Sequence, residues 1–130
     1  MSQHQPDDDM VFHAGRRRTI VFARTPAGGM PVRDFLDSPI VSDRHLERFA
    51  RLCEVLADEG AIRNSEVYRK LTDWPLWGFR IGSLRILTHE AGRLVWLLRG
   101  AVKQGWKLRD SDLAAAEALA RHNATLYRGP

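Results

Sequence analysis

The feature that most constrains the fold is an alternating pattern between residues 76 and 88. Every second residue is apolar on both sides of the dipeptide Gly82-Ser83. The predicted core-facing residues are Trp77, Phe79, Ile81, Leu84 and Ile86. Alternation with a period of two is typical of half-buried strands, and a two-residue loop that begins with glycine is typical of a tight hairpin. Residues 93–99 follow a second short loop and are apolar on both faces, so the segment predicts a three-strand antiparallel meander with a central last strand.

The tight loop also predicts the register of the hairpin. It places Arg80 directly opposite Arg85 on the face away from the core. Like charges opposite each other are unfavourable by up to about 1 kcal/mol. Two interpretations stay open: a bound phosphate or carboxylate lies between the arginines, or a carboxylate from elsewhere in the fold, for example from the second helix, neutralises them.

The rest of the chain predicts one domain at residues 18–130 behind a flexible tail at 1–17. Residues 19–23 are β-branched or aromatic and predict a first strand, and 32–37 predict a short helical region. Between Ser42 as N-cap and Gly60 as the residue after the helix, apolar residues recur every three or four positions. Residues 61–75 are predicted to be irregular. An alanine-rich helix is predicted from about 110 to 127.

Length and composition exclude several classes of protein. The chain has 130 residues, of which 44% are hydrophobic, which suits a single globular domain. Its one cysteine, Cys53, falls on the apolar stripe of the long helix, so we interpret it as a packed thiol and exclude a disulfide scaffold. We find no export signal and no apolar run of membrane-spanning length, so the predicted location is the cytoplasm, with no membrane partner.

Positive charge is concentrated in one part of the sequence. The whole chain has a formal net charge of +4, whereas residues 74–109 contain seven lysines or arginines and one acidic residue, Glu90. Such a concentration favours a polyanionic partner, although a solvated basic strand edge is the plainer alternative.

Recognisable cofactor and metal motifs are missing from the sequence. There is no phosphate-binding Gly-Lys-Ser/Thr loop, no pair of histidines or cysteines at zinc-ligand spacing, and no Gly-x-Ser-x-Gly elbow. No paired carboxylates stand near the basic strands to hold magnesium. We therefore predict no cofactor and no metal site.

The remaining candidates suit RNA chemistry without a metal. The 2′-hydroxyl of RNA can attack the adjacent phosphorus if a protein supplies proton transfer and positive charge. Arg80, Arg85 and Lys103 can supply the charge, and His89 is the candidate for proton transfer. Trp106 lies between Lys103 and Lys107, where a base could stack on it. The plainer alternatives are a half-exposed histidine at a strand end and a loop tryptophan packed on the last helix.

The ordered set of these segments resembles a known family from Lys70 to Tyr127. The segments that carry the resemblance are 69–73, 76–80, 84–87 and 93–98, followed by Lys103 and the alanine-rich helix. They are similar to the phage-derived Gp49-like and HigB-like branch of the RelE/ParE toxin superfamily. The resemblance implies an α+β, RelE-like fold. In that fold a small antiparallel sheet, made of an N-terminal strand plus the meander, packs against two N-terminal helices and a C-terminal helix.

The resemblance also implies a function and a set of site residues. It implies the toxin of a type II toxin–antitoxin system, a ribosome-dependent, metal-independent mRNA endonuclease whose partners are mRNA, the ribosome and a cognate antitoxin protein. Arg80 and Arg85 match the family's paired-strand arginines, and Lys103 matches the first of a usual lysine pair whose second place is Gln104 here. The further candidate RNA contacts are Lys70, Arg99, Trp106 and Lys107. The alternative within the superfamily is a non-catalytic interaction protein, either gyrase-directed or a degenerate phage-derived protein.

Overall fold

The computed structural model describes residues 3–103 and 107–129, and over these residues the protein has an α+β fold. A short 3-10 helix at Asp8–Met10 precedes the first strand. The strands are β1 (Val11–Ala14), β2 (Thr19–Phe22), β3 (Tyr68–Lys70), β4 (Trp77–Ile81), β5 (Leu84–Ala91) and β6 (Leu94–Val102). The helices are α1 (Pro31–Leu36), α2 (Asp43–Glu59) and α3 (Asp110–Leu126).

The six strands form one mixed sheet in the order β1-β2-β6-β5-β4-β3. All neighbours are antiparallel except β2 and β6, which are parallel. The predicted meander β4-β5-β6 is confirmed, and so is the hairpin register, with Arg80 opposite Arg85. Gly82 adopts a φ of +59°, a conformation that favours glycine, which explains its place at the first position of the turn.

The predicted sheet was too small and of the wrong type. Strand β1 lies within the region predicted as a tail, where Met10 is completely buried, and β3 lies within the region predicted as irregular. Both strands are short edge strands, and such strands depend on pairing with a neighbour rather than on an alternating pattern of their own. The N-terminal strand β2 pairs in parallel with β6, which is distant in sequence, so the sheet is mixed and not antiparallel.

The two faces of the sheet are covered by different helices. We call the side that carries Phe79 the α2 face, because the ring of Phe49 on α2 lies 5.1 Å from the ring of Phe79. The opposite side carries Arg80 and Arg85, and we call it the α3 face. There the ring of Trp96 lies 5.8 Å from that of Tyr127, the residue that ends α3.

Both ends of α2 are as predicted. The Ser42 side chain accepts a hydrogen bond from the His45 N–H, and Gly60 ends the helix with a φ of +84°. Phe49, Cys53 and Leu56 are buried, so the interpretation of Cys53 as a packed thiol is confirmed. The short helix α1 begins at Pro31. The first N–H groups of a helix have no partner within it, so proline at this position costs no hydrogen bond. The helix overlaps the predicted helical region.

Candidate nucleic-acid interface

The register of the sheet brings arginines from four neighbouring strands to the α3 face. Arg80 pairs with Arg85, Leu87 pairs with Arg99, and Arg69 pairs with Gly78. Paired residues share a face, and successive residues alternate between faces. Neighbouring strands are about 4.8 Å apart, so four strands span about 14 Å. We call this set the arginine face; it consists of Arg69, Arg80, Arg85 and Arg99.

Arg85 is the buried member of the arginine face. Only 2% of the residue is exposed. Its Nη1 donates hydrogen bonds to the carbonyl oxygens of Gly82 at 2.7 Å and Leu84 at 2.9 Å, so the guanidinium holds the hairpin turn. Burial and, secondarily, the charge of Arg80 lower its pKa from the ordinary arginine value. The sequence predicted both arginines on the face away from the core, and in the structure Arg80 is the arginine of the pair that solvent reaches.

Arg80 has a carboxylate partner, as one of the two interpretations required. Its Nη1 lies 3.7 Å from Oε2 of Glu66, which belongs to the loop before β3 and not to the second helix. The Arg80 side chain is 37% exposed and that of Glu66 is 77% exposed. Exposed ion pairs contribute about 0–1 kcal/mol, so a phosphate can replace Glu66 at little cost. The pair therefore leaves Arg80 accessible to an anionic ligand.

Arg99 connects the arginine face to α3. Its Nε donates to Oδ1 of Asp112 at 2.8 Å, and Asp112 lies in the first turn of the helix. The Arg99 side chain is still 45% exposed. Arg99 thus positions the start of α3 beside the sheet while part of its charge faces solvent.

The candidates for proton transfer and for charge, His89 and Lys103, lie far apart. The Lys103 N–H donates to the Ser83 carbonyl at 2.7 Å, which places this residue beside the hairpin turn and the arginine pair. His89 is four residues along β5 from Arg85, or about 13 Å. Its Nδ1 lies 2.7 Å from the carbonyl oxygen of Pro75. At this spacing along β5, His89 does not lie next to the Arg80–Arg85 pair.

A cleft of about 480 Å³ borders the arginine face between β3 and the start of α3. It is lined in part by Arg69, Lys70, Trp74 and Lys107, so it joins two of the predicted RNA contacts. The Lys70 Nζ donates to the carbonyl oxygens of Trp74 and Leu71, which orients the chain around the cleft. Sites for single-stranded nucleic acid typically combine cations, which contact the phosphates, with aromatic rings on which the bases stack.

Arg69 and Trp74 were not predicted as site residues; Arg69 lies in the unpredicted strand β3, and Trp74 lies in the loop between β3 and β4. The only signal was their place in the segment before the meander. Trp106, the aromatic residue that was predicted, and Gln104 lie outside the described residues.

Neither a metal cluster nor a membrane span is present in residues 3–103 and 107–129. No three His, Cys, Asp or Glu side chains there are grouped as metal ligands. No helix in the same ranges combines the length and the apolar composition of a membrane-crossing segment. Compared with known proteins, the chain matches no family model and no curated protein.

Proposed function

We propose that this protein binds single-stranded RNA on the arginine face and acts as the toxin of a RelE/HigB-type toxin–antitoxin pair, cutting mRNA on the ribosome. One observation carries the proposal: arginines from four adjacent strands share one sheet face, next to a cleft that contains lysines and a tryptophan. The order of segments that resembles the HigB-like branch supports the specific activity. mRNA as substrate entails a cytoplasmic location, and a toxin entails a cognate antitoxin.

In this proposal, cleavage depends on positive charge at the scissile phosphate. The 2′-hydroxyl attacks the phosphorus as its proton passes to solvent, and the bond between the phosphorus and the 5′-oxygen breaks. The accessible guanidinium of Arg80 stabilises the charge that develops on the phosphorane. Lys103, whose backbone bonds to the hairpin turn, donates a proton to the leaving 5′-oxygen. Arg85 holds the hairpin turn near which Arg80 and Lys103 lie. His89 takes no part in the reaction.

The second candidate is a non-catalytic protein of the same superfamily, either gyrase-directed or degenerate. The observation that favours it is the separation of His89 from the Arg80–Arg85 pair along β5, because a binding module needs no proton-transfer group beside its cations. This candidate requires no RNA cleavage.

Incubation of the purified protein with mRNA, with and without ribosomes and in the presence of a chelator, separates the candidates. We expect ribosome-dependent cleavage that leaves 2′,3′-cyclic or 3′-phosphate ends, lost in Arg80→Gln and retained in His89→Gln. Arg121→Gln is the matched control, since it removes one arginine from the exposed surface of α3. The absence of cleavage in every condition would select the non-catalytic candidate, and an Arg80→Gln protein that binds and cleaves normally would exclude the arginine face.

A further inference from the structure

A second cationic surface lies on α2, away from the arginine face. Arg44, Arg48 and Arg51 are spaced at i, i+4 and i+7, so they form one stripe along the helix. All three are exposed, and within the described ranges none of them has an ion pair. Like charges at these spacings destabilise a helix by some tenths of a kcal/mol per pair. An anionic ligand would remove that cost.

The stripe borders a cleft of about 530 Å³ that reaches the β4–β5 hairpin turn. The cleft is lined by Arg44, His45, Glu47, Arg48, Arg51, Ile81 and Gly82. Glu47 is the one acidic residue among them. A β-carbon at position 82 would lie 3.2 Å from Nε2 of His45, so the glycine allows the imidazole to pack closely on the turn.

His45 is an unusual residue for a purely structural contact. Its Nδ1 is buried and has no hydrogen-bond partner among the described residues. Buried polar atoms are paired in the great majority of cases, so an unpaired one calls for an explanation. The His45 imidazole lines the cleft beside three arginines, and its Nδ1 has no hydrogen-bond partner among the described residues.

The hairpin turn connects this cleft to the arginine face. The Gly82 carbonyl accepts from Arg85, and the Ser83 carbonyl accepts from the Lys103 N–H. The turn whose Gly82 lines the α2 cleft is therefore bonded to one cation of the arginine face, Arg85. Arg44 and Arg48 are separated by about 6 Å along the helix, and Arg44 and Arg51 by about 10 Å. The stripe is therefore long enough to contact more than one phosphate of the same strand.

We infer that single-stranded RNA bound on the arginine face continues over the hairpin turn and that its backbone phosphates occupy the α2 cleft, held by Arg44, Arg48 and Arg51. The inference rests on the proposed RNA-binding function. A protein partner is the less suitable occupant, because the cleft has one apolar lining side chain, Ile81, which is itself buried. Protein interfaces need an apolar centre, whereas phosphate binding does not.

The test measures binding of a labelled, unstructured single-stranded RNA to the full chain by fluorescence anisotropy over a series of salt concentrations. The triple variant R44Q/R48Q/R51Q is compared with R33Q/R121Q/R128Q, which removes three exposed arginines elsewhere. We expect the α2 triple variant to bind roughly tenfold more weakly or worse and to reduce the salt slope by about two, since each phosphate contact on a single strand contributes about 0.7. The control triple variant should stay within about twofold of the unmodified protein.

Equal affinity and salt slope for the two triple variants would overturn the α2 inference, while loss of binding in Arg80→Gln would still uphold the arginine face. Weaker binding in the α2 triple variant alone, with normal binding in Arg80→Gln, would uphold the α2 cleft and reject the arginine face. An unmodified protein that binds no RNA would reject both. If polyglutamate competes as effectively as RNA of equal charge, the occupant of the α2 cleft is an acidic protein and not RNA. Thermal unfolding confirms that each variant is folded.

Discussion

The two long helices cover opposite faces of the same sheet and are held there by different forces. α2 presents large apolar side chains, and the ring of Phe49 contacts those of Phe12 and Phe79 at 5.5 and 5.1 Å. α3 presents mostly alanine and buries Leu113, Ala116 and Ala120. Alanine buries little area, so apolar packing alone would hold α3 weakly.

Polar contacts take the place of large side chains on α3. Asn123 is completely buried; its Oδ1 accepts from the Arg24 N–H and its Nδ2 donates to the Arg24 carbonyl, both at 2.9 Å. The N-terminal segment adds backbone hydrogen bonds between His4 and residues at the end of the helix. A helix with a poor apolar stripe can thus be held by a few directional hydrogen bonds. Loss of one such bond weakens the packing at one position rather than over a whole face.

The largest expected effect comes from the α2 side. Phe49→Ala removes the ring at the centre of the aromatic cluster, and we expect a loss of about 3–5 kcal/mol in the free energy of unfolding, because the cavity closes only partly. Urea unfolding measures it. Leu46→Ala, on the half-buried margin of the same helix, is the control and should cost clearly less. Equal losses would mean that α2 does not pack through Phe49.

The corresponding change on α3 is Asn123→Ala. It leaves the N–H and the carbonyl of Arg24 without their buried partner, so we expect a loss of about 1–3 kcal/mol. Hydrogen exchange of the α3 amides should rise more than that of α2. Thr125→Ala, two residues further along on the exposed surface, should change stability by less than about 0.5 kcal/mol. An Asn123→Ala protein as stable as that control would show that α3 is held by its alanines after all.

Alkaline pH should weaken the α2 side. Burial raises the pKa of the Cys53 thiol, and burial together with the charge of Glu90 raises the pKa of the Tyr68 hydroxyl. Both folded-state pKa values lie above the unfolded ones, so stability is complete below about pH 8 and falls as the pH rises, by up to about 1.4 kcal/mol per pH unit for each group. Tyr68→Phe should flatten the decline above pH 10. Identical pH profiles for the two proteins would contradict the assignment to Tyr68.

Acid should produce the smallest effect, and on the α3 side. The hydrogen bond from Arg24 lowers the pKa of Asp9, and Arg24 is the residue whose backbone binds Asn123. A lowered folded-state pKa contributes stability above the unfolded value and loses it as the pH falls, here below about pH 4. Asp9→Asn should make the acid decline slightly shallower in thermal melts, whereas Asp8→Asn should leave it unchanged. A change of the same size in both variants would show that the ion pair of Asp9 with Arg24 does not cause the acid decline.

The hairpin and α2 could be predicted from the sequence because their determinants are local. Gly82-Ser83 sets the register of β4 and β5 through the turn, and Ser42 and Gly60 mark the ends of α2 through hydrogen bonds within a few residues. The opposition of Arg80 and Arg85 followed from the same short-range geometry. These features require no knowledge of the rest of the fold.

Only the tertiary structure decided the extent of the sheet and the environment of each candidate residue. β1, β3 and the parallel pairing of β2 with β6 depend on neighbours distant in sequence, and so does the burial that turns Arg85 into a residue that holds the hairpin turn. Proximity in sequence grouped His89 with the arginines, but an extended strand carries a residue about 3.3 Å further at each step. Four steps along β5 therefore separate the histidine from the charge that it was predicted to assist.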